Sequence, residues 1–504
     1  METSRQTLGH YVDGQTTVET DVRNSPVFNP ATGEKQYDVA LADADTVARV
    51  IGIAHEAYEQ WSRVTPLRRS RVLFKFKELI EQNFDELAAI ITREHGKVLS
   101  DARGELARGL EVVEFACGIP HLQKGEHSLN VGTGVDSYSY MQPLGVCAGI
   151  TPFNFPAMVP MWMYPIALAC GNSFILKPSE KVPYFSHRMA KYLVEAGLPK
   201  GAFNVVNGDK QAVDVLLSDE RVKAVSFVGS TPIARYVYEE GSKAGKRVQA
   251  LGGAKNHLVV MPDAEPKGTV GALMGAAYGS AGERCMAVSV AVCVGDDVAD
   301  RLVAALTAEI ADMRVGPGSG GDEEPHMGPL ITKEHAAAVT SYIDTGEAEG
   351  ATLVVDGRGL VVDGHENGFF VGPTLFDHVK KGMRIHSEEI FGPVLCVVRV
   401  SSLEEAMELI NSHESGNGTS IFTQSARSGR QFSEGINVGM VGINIGVPVP
   451  MAFHCFGGWK RSMFGALNVH GTDGIRFYTQ MKTVTQRWPD QPSSESFFSM
   501  PTMT

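Results

Sequence analysis

Of the seven cysteines in this 504-residue chain, one stands where a thiol can do chemistry. Cys285 ends the run Gly279-Ser280-Ala281-Gly282-Glu283-Arg284-Cys285, whose small residues let a substrate approach the backbone and leave the sulfur reachable. Arg284 beside it sets a cation next to the thiol, which favours the thiolate, the form that attacks an electrophile. A lone cysteine is otherwise an apolar filler of cores, so its meaning depends on its company. In Phe227-Val228-Gly229-Ser230-Thr231 a buried strand ends in glycine and Ser or Thr opens a helix. N–H groups at such a helix start suit a phosphate, although an ordinary strand-turn-helix junction has the same look. A strand at 173–176 ends in Lys177-Pro178-Ser179-Glu180, a cation and an acid at the carboxyl edge where doubly wound sheets bind ligands. There Glu180 can accept from both hydroxyls of an adenosine ribose, which disfavours a 2′-phosphate and points to NAD rather than NADP; a solvated surface pair is the alternative. Gly316-Pro317-Gly318-Ser319-Gly320-Gly321 fits G-x-G-x-x-G, but it follows a helical stretch at 299–313 and runs into Asp322, Glu323 and Glu324. With no strand before it and acids after it, it reads as a surface loop.

The elements that must position these residues follow from apolar periodicity. Residues 44–91 carry a helical pattern (Val47, Val50, Ile51, Ala54, then Leu73, Phe76 and Leu79), and 99–116 a second one. Short apolar strands then alternate with helical stretches at 145–150, 173–177, 203–206 and 224–228, and again at 258–261, 288–294, 352–355, 394–400 and 440–445. This alternation predicts parallel βαβ units in two α/β lobes. Residues 128–140 alternate around Gly132 to Gly134 as a hairpin, and 476–488 reads as a strand; the two are expected to pair as a small flap. Residues 489–504 are expected to fray or drape over a neighbour.

The net charge of −13, with no concentrated Lys/Arg block, excludes a footprint for nucleic acid or an anionic membrane. The apolar stretch 157–170 is expected to be broken by Pro160 and Pro165, and no run is long enough to span a bilayer. Sparse cysteines without a C-x-x-C pair predict no zinc site and a reducing compartment, and an N-terminus with acids and no apolar core predicts a cytoplasmic chain.

Taken together, the segments resemble the aldehyde dehydrogenases over nearly the whole length. Thr151-Pro152-Phe153-Asn154-Phe155-Pro156 is similar to that family's oxyanion-hole segment, Lys177 to Glu180 to its adenosine-ribose site, and Phe227 to Thr231 to its phosphate-facing helix start. Glu388-Glu389-Ile390-Phe391-Gly392-Pro393 resembles the nicotinamide-side segment, and Phe456-Gly457-Gly458-Trp459-Lys460-Arg461-Ser462 the motif closing the catalytic domain. The resemblance implies an aldehyde dehydrogenase fold, α/β with two Rossmann-like doubly wound lobes and a small β oligomerisation flap. Its implied division is 1–123 with 144–253 for NAD, 254–469 for catalysis, 124–143 with 470–490 for the flap, and 491–504 as a tail. It implies Cys285 as the nucleophile and Asn154 with the Cys285 N–H as the oxyanion donors. Thr151, Phe153, Lys177, Glu180, Gly229, Ser230, Glu389 and Phe391 would hold NAD, and copies of the chain would form a homotetramer built from dimers.

One segment departs from the common pattern. Hydrolytic members carry Glu-Leu-Gly-Gly-Lys, whose glutamate activates the water that cleaves the thioester. Here the stretch reads Gln249-Ala250-Leu251-Gly252-Gly253-Ala254-Lys255-Asn256-His257, and setting Lys255 on the motif's lysine puts Leu251 at the glutamate position. A thioester without that base awaits a better nucleophile, a thiol such as coenzyme A. The strings at 253–257 and 282–287 are similar to those of CoA-acylating methylmalonate-semialdehyde dehydrogenases. That resemblance implies a carboxylated aldehyde as substrate, with Arg284 and Arg108 as partners for its carboxylate; a helix-surface pair with Glu105 or Glu111 is the alternative for Arg108. The plain and the methylated semialdehyde, and valine, β-alanine or inositol breakdown, stay open. Two other expectations are kept: a hydrolytic dehydrogenase of another acidic semialdehyde such as succinate semialdehyde, and a catalytically silent NAD-binding protein.

Overall fold

In a computed structural model, residues 7–17, 22–132, 134–319 and 323–488 are described, and the account below concerns these. Strands Arg247–Leu251, Val222–Val228, Val146–Ile150, Ser173–Lys177 and Phe203–Val205 lie side by side in that order, all parallel. Met463–Phe464 on one flank, and His10–Val12 with Gln15–Thr17 on the other, add antiparallel edges. Both Val146–Ile150 and Ser173–Lys177 are buried at every position, as parallel strands covered on both faces must be. From Val146–Ile150 the chain order runs outward in both directions, which opens a crevice at the carboxyl ends of the strands.

A second sheet is ordered Thr352–Val355, Thr374–Asp377, Val394–Val400, Val288–Val294, Asn256–Val260, Gly418–Phe422 and Met440–Ile443, parallel except for its first strand. Two of these, Thr374–Asp377 and Gly418–Phe422, escape the periodicity reading because their small and polar residues lack a long apolar run. The antiparallel strands Asn24–Asn29 and Glu34–Ala40 escape it as well. Where Arg247–Leu251 ends, four residues lead straight into Asn256–Val260, so the carboxyl edge of the first sheet meets the amino edge of the second.

The helical stretch expected over 44–91 is three helices, Ala44–Trp61, Pro66–Gln82 and Phe84–His95. Asp43 caps the first by accepting from the Thr46 N–H, and Pro66 opens the second, where its missing N–H costs nothing. Pro160 and Pro165 do not break the apolar stretch: Met158–Cys170 is one helix, buried at every residue. Pro160 falls in the first turn, which has no intrahelical acceptor for its N–H, and the packing around the helix offsets the bond lost at Pro165. Among the described residues, no helix is long and apolar enough to cross a membrane.

The hairpin is His127–Gly132 with Val135–Pro143, and Thr479–Arg487 pairs antiparallel along its second strand. Arg476 and Phe477, expected in that strand, instead close the helix Gly471–Phe477. After the helix Asp296–Ala311, the Gly316 N–H donates to the Met327 carbonyl, and Gly318 and Ser319 form a turn with Gly318 seated on the Lys97 carbonyl; Gly320 and Gly321 lie outside the described residues, as does the tail expected over 489–504.

Candidate active site

Cys285 sits on the short link before the strand Val288–Val294, at the amino edge of the second sheet. Ser280, Ala281 and Gly282 just before it take φ of 53°, 52° and 73°. Three consecutive left-handed residues make a tight reversal, and a side chain at 282 would strike the Gly392 carbonyl. Cys285 is half-buried, and its pocket is also lined by Asn256, Arg284, Glu389 and Phe391. Burial pushes the thiol up to about 12, and the Glu389 carboxylate adds to this; the Cys285 and Met286 N–H groups and Arg284 pull it back.

From the facing sheet edge, Asn154 is buried on the loop that follows Val146–Ile150, and its Nδ2 donates to the Glu283 carbonyl at 3.0 Å. That bond draws the Asn154 amide to the nucleophile loop and leaves its second N–H for another acceptor. On the same loop, Phe153 meets Phe391 edge-on at 5.8 Å between ring centroids, and Lys181 lies over its ring. Glu389 accepts from the Ala254 N–H at 3.0 Å, and burial raises its carboxyl to about 7 against the pull of that bond and of Lys255. A Cβ at Gly253 would strike Glu389 Oε2, and one at Gly252 would crowd the Arg461 carbonyl.

Thr151, Lys177, Glu180, Gly229 and Ser230 line the carboxyl edge of the first sheet. The Thr151 N–H donates to the Lys177 carbonyl at 3.1 Å. Lys177 is buried and donates to the Pro178 and Gly208 carbonyls at 2.8 and 2.7 Å. Glu180 is 3.7 Å from Lys177 and partly exposed, so its carboxylate retains acceptor capacity for hydroxyls. The Gly229 N–H is spent on the Leu251 carbonyl at 3.1 Å. The exposed start of the helix Thr231–Lys243, capped by Ser230 without a side-chain bond, offers first-turn N–H groups instead. A partly exposed acid with open acceptor capacity and an uncapped helix start on one carboxyl edge are a fit for a dinucleotide.

Neither arginine is idle. Arg284 is ion-paired to Asp101 and donates to the Gly275 carbonyl at 3.2 Å, so its charge is matched by an acid 183 positions away and does little to lower the thiol. Arg108 pairs with Glu111 at 2.7 Å and reaches the 449–451 loop through the Pro450 carbonyl and Met451 Sδ. Glu105 is not its partner: it pairs with Lys97 at 2.8 Å, both side chains fully buried.

Lys97 also donates to the Asn154 carbonyl at 2.6 Å and lies over the Phe155 ring, while Glu105 accepts from the Ala157 and Met158 N–H groups. The Asn154 loop is thus braced from both ends by one buried ion pair. Buried Glu283 accepts from the Ile331 N–H, with His95 and His335 each 3.6 Å away, and burial raises its carboxyl to about 8. His335 Nε2 lies 2.8 Å from the Phe391 carbonyl. Sequence reasoning misses these braces because Lys97 lies in the short link between the helices Phe84–His95 and Leu99–Cys117, where a lysine looks solvated, and because the groups that Lys97, Glu105 and Glu283 hold belong to segments about 50 positions away.

Residues 17–484 match the model of the aldehyde dehydrogenase family. The malonate-semialdehyde dehydrogenase of Pseudomonas aeruginosa is 58% identical over 99% of this chain and 100% of its own. The methylmalonate-semialdehyde dehydrogenase of Oceanimonas doudoroffii superposes with a TM-score of 0.95 at 57% identity, over 96% of this chain and 99% of that one. A Sinorhizobium meliloti structure assigned as a methylmalonate-semialdehyde dehydrogenase, in complex with NAD, gives 0.95 at 53% identity over 97% and 99%. With the family's model matched over 17–484 and a relative 58% identical over its whole length, the chain belongs to the aldehyde dehydrogenase family.

Proposed function

We propose that this enzyme oxidises malonate semialdehyde or its methyl derivative, with NAD, to acetyl-CoA or propanoyl-CoA and CO2. The observation that carries the reading is Leu251: buried at the end of its strand, it stands where hydrolytic relatives hold their base. The Cys285 thiolate adds to the aldehyde carbon, and the oxygen becomes an oxyanion between the Asn154 amide and the Cys285 N–H. When bound, NAD supplies the hydride acceptor. Collapse of the oxyanion leaves an acyl thioester on Cys285. Its carbonyl takes the electron pair of the breaking C–C bond as an enolate, CO2 departs, and protonation gives an acetyl or propanoyl thioester. Attack by the coenzyme A thiol returns the Cys285 thiolate. Residues 1–123 and 144–253 would carry NAD, 254–469 the catalysis, and 124–143 with 470–490 the contacts of a homotetramer; exposed Leu129, Met481 and Trp488 on the flap support that use.

Purified enzyme with malonate semialdehyde and NAD should form NADH in proportion to added CoA, with acetyl-CoA as product. Equal NADH without CoA, accompanied by free acid, overturns the reading. A second reading has Glu389 in its favour. It lines the Cys285 pocket and its carboxyl is raised to about 7, the range of a general base for water, so a hydrolytic dehydrogenase of an acidic semialdehyde would show that second outcome.

The substrate carboxylate needs a guanidinium, and Arg284 or Arg108 would exchange its present acid for it. Arg284→Ala or Arg108→Ala should raise KM for malonate semialdehyde by about 10- to 100-fold, the worth of a hydrogen bond to a charged group, and leave KM for propanal within about twofold. Equal effects on both aldehydes remove the carboxylate role.

A further inference from the structure

The carbonyl oxygen of Cys285 itself is held by two side chains that no catalytic step above uses. Asn256 opens the strand Asn256–Val260, and its Nδ2 donates to the Cys285 carbonyl at 2.9 Å and to the Ala287 carbonyl at 2.9 Å. Asn417 precedes the neighbouring strand Gly418–Phe422, and its Nδ2 donates to the same Cys285 carbonyl at 3.1 Å, while also meeting Met286 Sδ at 3.1 Å. A carbonyl oxygen has two lone pairs, and here two buried amides fill them. The two asparagines are themselves linked, because Asn256 Oδ1 accepts from the Gly418 N–H at 3.0 Å. The strands are parallel neighbours, so both amides arrive from one sheet edge.

The peptide group so held has a second end. Its N–H belongs to Met286, the residue after the nucleophile, and together with the Cys285 N–H it draws the thiol down against the effect of burial. Rotating this peptide would take its N–H off the sulfur and strand two buried amides without their acceptor. Hydrogen bonds to a carbonyl also polarise the N–H across the same peptide, which strengthens it as a donor.

We propose that Asn256 and Asn417 are positioning residues that lock the Cys285–Met286 peptide, keeping its N–H on the Cys285 sulfur whenever that sulfur carries charge. This matters twice in each turnover: when the thiolate attacks the aldehyde, and when CoA displaces it from the acyl group. The inference rests on Cys285 as nucleophile and on no particular substrate.

The test is alkylation of the full-length enzyme by iodoacetamide across pH 7 to 10 (about the span in which a raised thiol begins to ionise), with the modified peptides mapped by mass spectrometry. Asn417→Leu keeps the volume and removes the donor. Its Cys285 rate should fall about tenfold at each pH, the effect of one unit on the thiolate fraction, and Asn256→Leu should act in the same direction. Cys455, the other half-buried thiol, is the internal standard and should react as in the wild type. A purely structural role would loosen the pocket and speed alkylation of Cys285; that result, or an unchanged rate, overturns the proposal. If Asn256→Leu fails to fold for want of its bond to Gly418, Asn417→Leu decides alone. If alkylating Cys285 in the wild type leaves activity intact, the nucleophile assignment fails, an outcome distinct from failure of the lock.

Discussion

Asn154→Ala should lower kcat by about 10²- to 10³-fold with a much smaller change in the affinity for NAD, as measured by steady-state NADH formation and by titration of the cofactor. The side chain is buried, one N–H is committed to the Glu283 carbonyl, and the other is left for the oxyanion proposed beside Cys285. An oxyanion donor acts mainly in the transition state, so its loss appears in kcat rather than in ground-state binding. Asn154→Asp should be no better, because it replaces a donor with a carboxylate that repels the developing charge. A loss below about threefold for Asn154→Ala would take this residue out of the chemistry.

Lys97→Met should be the most destabilising single change near the site. It removes the partner of a fully buried carboxylate, leaving Glu105 with only the Ala157 and Met158 N–H groups, and uncompensated buried charge of this kind costs about 3–5 kcal/mol. The expected readout is a large fall in the thermal midpoint, together with lower kcat in whatever remains folded, because the Asn154 carbonyl loses its donor at 2.6 Å. Adding Glu105→Gln removes the stranded charge and should restore much of the stability but not the activity. If single and double variants unfold at the same temperature, the pair is not coupled as its geometry implies.

That pair also marks what the chain does and does not state in its order of residues. Cys285 in its run of small residues, Lys177 to Glu180 closing an apolar strand, and the strand-helix alternation of two lobes are local patterns. Period and turn chemistry act over a few residues, so they are readable wherever a segment is buried on both faces. Leu251 is readable only through the family resemblance, in which the surrounding glycines and Lys255 fix the alignment. The weakly patterned strands Gly418–Phe422 and Thr374–Asp377 are not: their β structure comes from neighbours that supply the hydrogen bonds and the apolar cover.

The site shows the same division. By itself the sequence determined that a thiol, a cofactor edge and two arginines were available. Only the tertiary structure decided how they are tied: Arg284 to Asp101 across 183 positions, Asn154 to Glu283 across 129, and the Cys285 carbonyl to Asn417 across 132. A guanidinium one residue from a thiol favours its anion in a sequence reading, yet the acid it faces is chosen by the fold, and so is the burial that pushes the thiol the other way. Charges and hydrogen bonds act through space, and no periodicity along the chain encodes which distant residue will stand at the other end.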